Sequence, residues 1–376
     1  MVTDTRKHIL TPPLAIELAG ERRHLEFWRE LGQFLESTEA VDLISLGQDP
    51  NADPRALYRA MGEQRLLAPW FPLEFGGRAL GQIEAVMVLN ALGMVSVVDT
   101  LYVTSLQVVG NVLLDHASAQ LQQEFLPELA SGRLSASVLY SEKGAGSDLL
   151  GIRTRGEKAD SDGWLVSGEK CWSARTPLAS HALCAFQTEK SPSNPYSGFT
   201  LGLIDLSDPG VALQEEPTLS DEAFYRVSLD KVLIPSARMV GGTGEAWPII
   251  SSSISYERTG MDYLTRATRW LDSADGFVDT NRLQRLRDRI AAAYFLAYRT
   301  ADEVDRGGRD DRDAALVKLV ASELAQESAY LIAEAGLAAH PAILEAPGLT
   351  ISAGPSEMLV DMIANQIPES AVGGTL

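Results

Sequence analysis

The chain has 376 residues, 45% of them hydrophobic, with 32 Lys and Arg against 51 Asp and Glu and a net charge of −19 at pH 7. That length and apolar content suffice for two or three packed subdomains, and the acidic balance excludes a broad nucleic-acid-binding surface. With only Cys171, Cys184 and five scattered histidines, no disulfide framework and no metal site are expected. No secretory pattern and no apolar 18-mer stand out, so the expectation is a reduced, cytoplasmic protein without membrane insertion.

Residues 1–20, with Pro12-Pro13, read as a loosely attached arm. From Leu25 to Leu129 the apolar residues recur at helical spacing, over Glu26–Leu35, Pro54–Gln64, Gln82–Leu92, Ser105–Asp115 and Ser118–Ala130. Val95–Val109 carries one charge, Asp99, which suggests a helix buried on several faces in an assembly. From Ser135 to Met239 the period moves towards two. Strand-like runs are Ala136–Tyr140, Gly151–Gly156, Gly163–Cys171, His181–Thr188, Phe199–Asp205, Val211–Gln214 and Ala223–Ile234. Helical spacing returns over Trp247–Asp275, Arg282–Val304, Ala314–Leu337 and Ser356–Asn365. The α–β–α order predicts an α+β architecture: an N-terminal helical domain over 1–133, a central β domain over 134–240 and a C-terminal helical domain over 241–376.

The most informative wording is Leu139-Tyr-Ser-Glu-Lys-Gly-Ala-Gly-Ser-Asp148, followed by Trp164-Leu-Val-Ser-Gly-Glu-Lys-Cys-Trp172. Gly144, Gly146 and Ser147 make a small-residue loop through which backbone can approach a ligand, and its N–H groups suit a carbonyl edge or a phosphate. Gly163–Val166 and Lys170–Trp172, flanking Ser167-Gly168, read as a hairpin that sets Trp172 beside the loop. On spacing alone an ordinary turn between strands fits as well.

The full wording resembles the flavin-binding signature of the acyl-CoA dehydrogenase family, Thr-Glu-Pro-Gly-Ala-Gly-Ser-Asp followed by Asn-Gly-x-Lys-x-Trp-Ile-Thr. Ala68-Pro-Trp-Phe-Pro-Leu-Glu-Phe-Gly-Gly77 resembles the family's Pro-x-x-Tyr-Gly-Gly, and Phe125-Leu-Pro-Glu-Leu-Ala-Ser-Gly132 its Tyr-Leu-Pro-x-Leu-Ala-x-Gly. The resemblance runs from about residue 55 to the end. It implies a β-barrel-like central domain, a C-terminal four-helix bundle, FAD as cofactor, an acyl-CoA or acyl-carrier-protein substrate, electron-transfer flavoprotein as acceptor, and a homodimer or homotetramer.

In that family a carboxylate removes the α-proton of an acyl thioester while the β-hydride passes to the flavin. Most members place the base in a C-terminal Tyr-Glu-Gly-Thr, where this chain has Ile351-Ser-Ala-Gly-Pro-Ser-Glu357 and puts Ala353 at the glutamate position. The isovaleryl and long-chain branches instead carry the base in an earlier Glu-Arg pair and have Ala-Gly-Thr-Ser-Glu at the later site. Ser255-Tyr-Glu-Arg-Thr-Gly260 matches the first half of that swap and Ala353 the second. The resemblance therefore implies Glu257 as the base, the Ala353 N–H as a donor to the thioester carbonyl, and Ser147 and Arg258 as substrate contacts. The rival reading of Glu257-Arg258 is a charged pair near a helix start.

For the flavin the resemblance implies Tyr140, Ser141, Gly146 and Ser147 on the loop, with Trp172, Ser173 and Ala174 beside it. Gly354 and Ser356 join from the C-terminal side. Trp172 is otherwise a core tryptophan of a hairpin. Three departures stand out. Ala174 replaces a threonine hydroxyl that contacts flavin N5. The pyrophosphate-clamping Arg-x-x-Phe-Gly has no clear counterpart between Leu271 and Leu286, and Gln-x-x-Gly-Gly is reduced to Ala333-Glu-Ala-Gly-Leu337. These leave three readings open: an acyl-thioester dehydrogenase of a specialised, branched-chain or long-chain pathway, a half-site subunit of a hetero-oligomer, and a flavin oxidase or monooxygenase on the same fold.

Overall fold

The computed structural model describes residues 22–47, 52–97, 100–188, 193–220, 222–274, 276–308, 311–337 and 340–366. The expected arm over 1–20 lies outside them. The chain opens with α1 (Arg22–Leu35), α2 (Thr38–Gly47), α3 (Arg55–Glu63) and α4 (Gln82–Met94). In α1 the buried residues Phe27, Trp28, Leu31 and Leu35 fall on one stripe, the pattern of a helix laid on a core. α4 is buried over its whole length from Ile83 to Met94. Its first N–H groups are satisfied from far along the chain: Gln82 and Ile83 donate to the Asp305 carboxylate at 2.6 and 3.2 Å. That cap joins the two helical regions.

The run expected over Ser105–Asp115 is longer and irregular. Thr100–Tyr102 and Asn111–His116 flank a π-helical stretch, Val103–Gly110, and together they form α5. Leu101, Tyr102, Val109 and Val112 are fully buried within this one chain, so its apolarity needs no assembly to explain it. Ser105 in the π stretch exchanges hydrogen bonds with Ala136, Oγ to the carbonyl at 2.8 Å and N–H to Oγ at 2.9 Å. This docks α5 on the first strand. α6 (Ala119–Ala130) follows, capped by Ser118.

The strands are β1 (Ala136–Leu139), β2 (Arg155–Lys158), β3 (Trp164–Ala174), β4 (His181–Gln187), β5 (Phe199–Asp205), β6 (Val211–Glu216), β7 (Phe224–Ile234) and β8 (Met239–Val240). They form one 8-stranded sheet in the order β6-β7-β3-β2-β4-β5-β8, with β1 parallel to β4. The expected hairpin at Ser167-Gly168 is absent. β3 runs straight through, and the pair is a register shift against β7. A side chain at Gly168 would meet the Thr154 hydroxyl at 2.4 Å, so glycine here admits a crossing backbone rather than turning the chain. The run over Gly151–Gly156 is also corrected: Leu149–Gly151 is a single 3-10 turn and the strand starts at Arg155.

The C-terminal helices are α7 (Trp247–Glu257), α8 (Met261–Ser273), α9 (Thr280–Asp305), α10 (Asp311–Glu334), α11 (Ala342–Leu349) and α12 (Ser356–Asn365). The single helix expected over Trp247–Asp275 breaks at Gly260, which has φ +71°. A β-carbon there would lie 2.7 Å from Val317 Cγ1 and 3.0 Å from Ala321 Cβ, so both the backbone angle and α10 demand glycine. α8, α9 and α10 pack on one another, and α8 and α9 also pack on α4.

Candidate active site

The glycine loop starts where β1 ends. Glu142 and Ala145 close its turn, with N–H to carbonyl distances of 3.3 and 2.9 Å, and Gly144 turns the corner at φ +85°. Beneath the loop lies a buried ion pair. Lys170 Nζ is fully buried and donates to the Tyr140 carbonyl at 3.1 Å and to Glu142 Oε1 at 2.8 Å. The Glu142 carboxylate also accepts from the N–H groups of Arg153 and Thr154 at 2.6 and 3.0 Å. Burial pushes the Glu142 pKa up, but Lys170 and these donors hold it below the usual range. The outer side of the loop is open: a β-carbon added at Gly144 or Gly146 would meet nothing within 4 Å, and Ser147 is exposed.

Trp172 follows directly on the contact between the Cys171 N–H and the Ser141 carbonyl at 3.0 Å. It sits at a second register shift of β3 on β7, with φ +58°, and is 56% exposed. A bulky L-residue in the left-handed region costs about 1–3 kcal/mol and persists only where the surroundings impose it. The bulge turns the indole out of the sheet, against the edge of Phe224 at 6.5 Å. Ser173 and Ala174 are both buried. The Ser173 hydroxyl lies 2.7 Å from Ser137 Oγ and donates to the Val138 carbonyl at 3.0 Å, so it faces β1 and not the open side. Ser141 is half-buried.

Tyr140 carries the loop across to the helices. Its buried hydroxyl lies 3.1 Å from Ser253 Oγ, one turn before Glu257 on the same face of α7. Burial raises the Tyr140 pKa, and the Glu257 charge raises it further. Burial likewise lifts Glu257 itself above the usual carboxylate range, against the opposing charges of Arg258 and Lys318. Among the described residues no hydrogen-bond donor reaches this half-buried carboxylate, so its lone pairs are unspent.

Arg258 is 4% exposed and turns away from the open side: Nε donates to the Ala353 carbonyl at 3.0 Å and Nη1 approaches Met362 Sδ at 3.6 Å. Ala353 has φ +53° and Gly354 φ +108°, and neither N–H has an acceptor among the described residues. A side chain at Gly354 would come within 2.9 Å of Arg258 Nη2. Ser356 Oγ is engaged by Glu323 at 2.5 Å. The fold thus brings Tyr140, Glu257, Arg258, Ala353 and Gly354 together, while Ser173 and Ser356 give their hydroxyls to the protein. A cleft between α4, α7 and α9 is lined by Arg258 but not by Glu257; it opens on the neighbouring face of α7.

Sequence models of the acyl-CoA dehydrogenase N-terminal, middle and C-terminal domains match residues 22–133, 137–232 and 273–367. The chain belongs to the acyl-CoA dehydrogenase family. It is 27% identical over 325 residues to acyl-CoA dehydrogenase FadE34 of Mycobacterium tuberculosis, covering 82% of this chain but 45% of that longer protein. To FadE29 of the same organism it is 25% identical, over 85% of both chains. In fold it is similar to glutaryl-coenzyme A dehydrogenase in complex with glutaryl-CoA, at TM-score 0.80 and 19% identity over 92% of this chain and 94% of that one. The prolyl acyl carrier protein oxidase AnaB matches at TM-score 0.79 and 19% identity, over 92% and 98%. The family is one of FAD-dependent oxidoreductases.

The residues present fit the flavin ring: an open glycine loop, an outward indole held in a strained conformation, and a tyrosine beside the loop that meets α7 one turn before Glu257. The pyrophosphate side fits less well. Between α8 and α9 the described residues are Ala274 and 276–279, none of them basic, with Phe277 exposed. Sequence reasoning missed Lys318 and Tyr263. Lys318, on α10, is fully buried and donates to the Leu349 and Gly354 carbonyls at 3.1 and 2.9 Å; a lysine inside an apolar helical stripe was its only signal. Among the described residues no cluster of His, Cys, Asp and Glu could hold a metal ion, and no helix is long and apolar enough to cross a membrane.

Proposed function

We propose that the protein introduces a carbon–carbon double bond into an acyl thioester, with Glu257 as the base. The observation that carries this reading is the half-buried Glu257 carboxylate, reached by no donor among the described residues, which stands next to the Arg258 that holds the Ala353 carbonyl and one turn after the Ser253 that meets Tyr140 of the glycine loop. The Glu257 carboxylate takes the α-proton. The electron pair of that C–H bond forms the new double bond as the β-carbon loses hydride. FAD, when bound, supplies the hydride acceptor. Negative charge developing on the thioester oxygen meets the Ala353 N–H, a donor already aligned before the substrate arrives. Tyr140, Ser141, Gly146, Ser147 and Trp172 form the flavin side, with Ala174 and Gly354 flanking it. Ser173 supports that side through β1, and Ser356 supports it through α10.

Arg258 shapes the donor rather than gripping substrate, since its Nε is committed to the Ala353 carbonyl. The thioester is carried by CoA or by a carrier protein; a carrier-protein oxidase among the fold neighbours favours testing both. Electron-transfer flavoprotein is the proposed acceptor, and a homodimer or homotetramer the proposed assembly. The absence of a basic residue among the described residues of the α8–α9 connection favours a second reading, a subunit whose flavin contacts are completed by a different chain. Purification alone separates the two. One FAD per chain supports the first reading, and a chain that takes up no added FAD supports the second.

A further inference from the structure

A fully buried lysine that, among the described residues, pairs with no carboxylate within hydrogen-bond reach calls for a role. Lys318 donates to the Leu349 and Gly354 carbonyls and lies 5.5 Å from the centre of the Tyr263 ring. Tyr263 in turn holds Ser352, hydroxyl to hydroxyl at 3.1 Å, and Arg258 holds the Ala353 carbonyl. Residues 349–354 are therefore pinned at Leu349, Ser352, Ala353 and Gly354, from α7, α8 and α10. A left-handed alanine is disfavoured by its β-carbon, and these contacts are what hold it there.

We propose that Lys318 is a positioning residue: by pinning the two carbonyls that flank Ala353 it aims the Ala353 N–H at the thioester oxygen, and its charge favours the enolate formed there. The inference rests on the reading of Glu257 and Ala353 given above. The charged and titratable groups that bear on Lys318 are Asp262 and Tyr263 on α8, Glu257 at the end of α7, Arg258 just after it, and Glu323 on α10. Burial is the largest influence and brings the Lys318 pKa down to about 8. The positive charge is accordingly present at neutral pH and lost through mild alkali, while a neutral amine can still make both hydrogen bonds.

Acetoacetyl-CoA and acetoacetyl-pantetheine test this without turnover. Each loses a proton from C2 to give an enolate whose oxygen carries the charge, and the enolate is read by its ultraviolet absorbance on the purified flavoprotein. The wild-type protein is expected to raise the bound enolate fraction over that in solution. Lys318→Met should lower the ionisation constant of the bound thioester about tenfold, leaving affinity for the neutral form unchanged. Lys318→Arg, which keeps the charge, should recover part of the loss. If Lys318→Met matches the wild type, Lys318 has no such role. If the wild type itself gives no enrichment with either thioester, the Glu257–Ala353 reading falls and takes this one with it. Should neither variant fold, the wild-type protein decides: the ratio of the bound to the free thioester's ionisation constant, determined at each pH, should decline as pH rises through 8, and a constant ratio from pH 7 to 9 would overturn the proposal.

Discussion

The two sides of the site are built by opposite means. On the sheet side, residues 142–148 form an open glycine loop, with nothing within 4 Å of where side chains at Gly144 and Gly146 would stand. It is braced from below, through Lys170 and Glu142. On the helical side, the turn at 349–354 leaves two N–H groups free but has its carbonyls and Ser352 held from three helices. On the proposed reading the first receives a broad planar group, and its surface is kept clear. On the same reading the second presents one donor at one point, and the peptide around it is fixed. Trp172 belongs to both strategies, being exposed like the loop yet strained like the turn.

The largest expected effect is at the base, where the two sides meet. Glu257→Gln should keep FAD and ligand binding but lose flavin reduction by acyl thioester by about a thousandfold or more, measured by anaerobic stopped flow. Lys170→Met comes next. It leaves the Glu142 carboxylate buried and unpaired, which should cost about 3–5 kcal/mol in denaturant unfolding and lower the FAD retained by the folded fraction. If flavin content and stability are both unchanged, the loop does not depend on its brace. Trp172→Gly sharpens the contrast: removing the side chain relieves a left-handed strain of about 1 kcal/mol or more, so the apoprotein should gain stability while FAD affinity falls. A loss of apoprotein stability would instead make Trp172 a packing residue.

The smallest effect is again at Glu257. Its pKa is raised in the folded chain, so folding favours the protonated form. Stability from this group is complete below the ordinary carboxylate range and is lost as pH climbs through the raised value. Glu257→Gln should therefore melt about one or two degrees higher than the wild type at pH 7, with the advantage gone near pH 4. Equal melting points at both pH values would mean that the carboxylate is not desolvated.

Much of the fold was legible because it rests on periodicity. The switch from helical to alternating spacing near Ser135 and back near Glu245 follows from which faces are buried, and Phe199–Asp205 and Ser356–Asn365 are found at the expected bounds. What failed were breaks set by distant contacts. Gly168 reads as a turn, but Thr154 crosses it; Gly260 lies inside a helical pattern, but α10 closes over it. At the candidate site, motif wording singled out Glu257, Ala353 and Trp172 as candidates. It could not show that Ser173 faces inward, that Arg258 serves a backbone carbonyl, or that Lys318 exists as a partner, because those depend on register and side-chain direction in three dimensions. The loop at Gly144–Asp148 was readable from its glycines alone, whereas the turn at 349–354 owes its shape to residues on three other helices.

The most direct test is an anaerobic titration of the FAD-loaded protein and its Glu257→Gln variant with a panel of straight and branched acyl-CoA thioesters and acyl-pantetheines, followed by flavin absorbance. The account predicts bleaching of the wild-type flavin by at least one of them and a spectral shift without bleaching in the variant. Bleaching of the variant at the wild-type rate would contradict it.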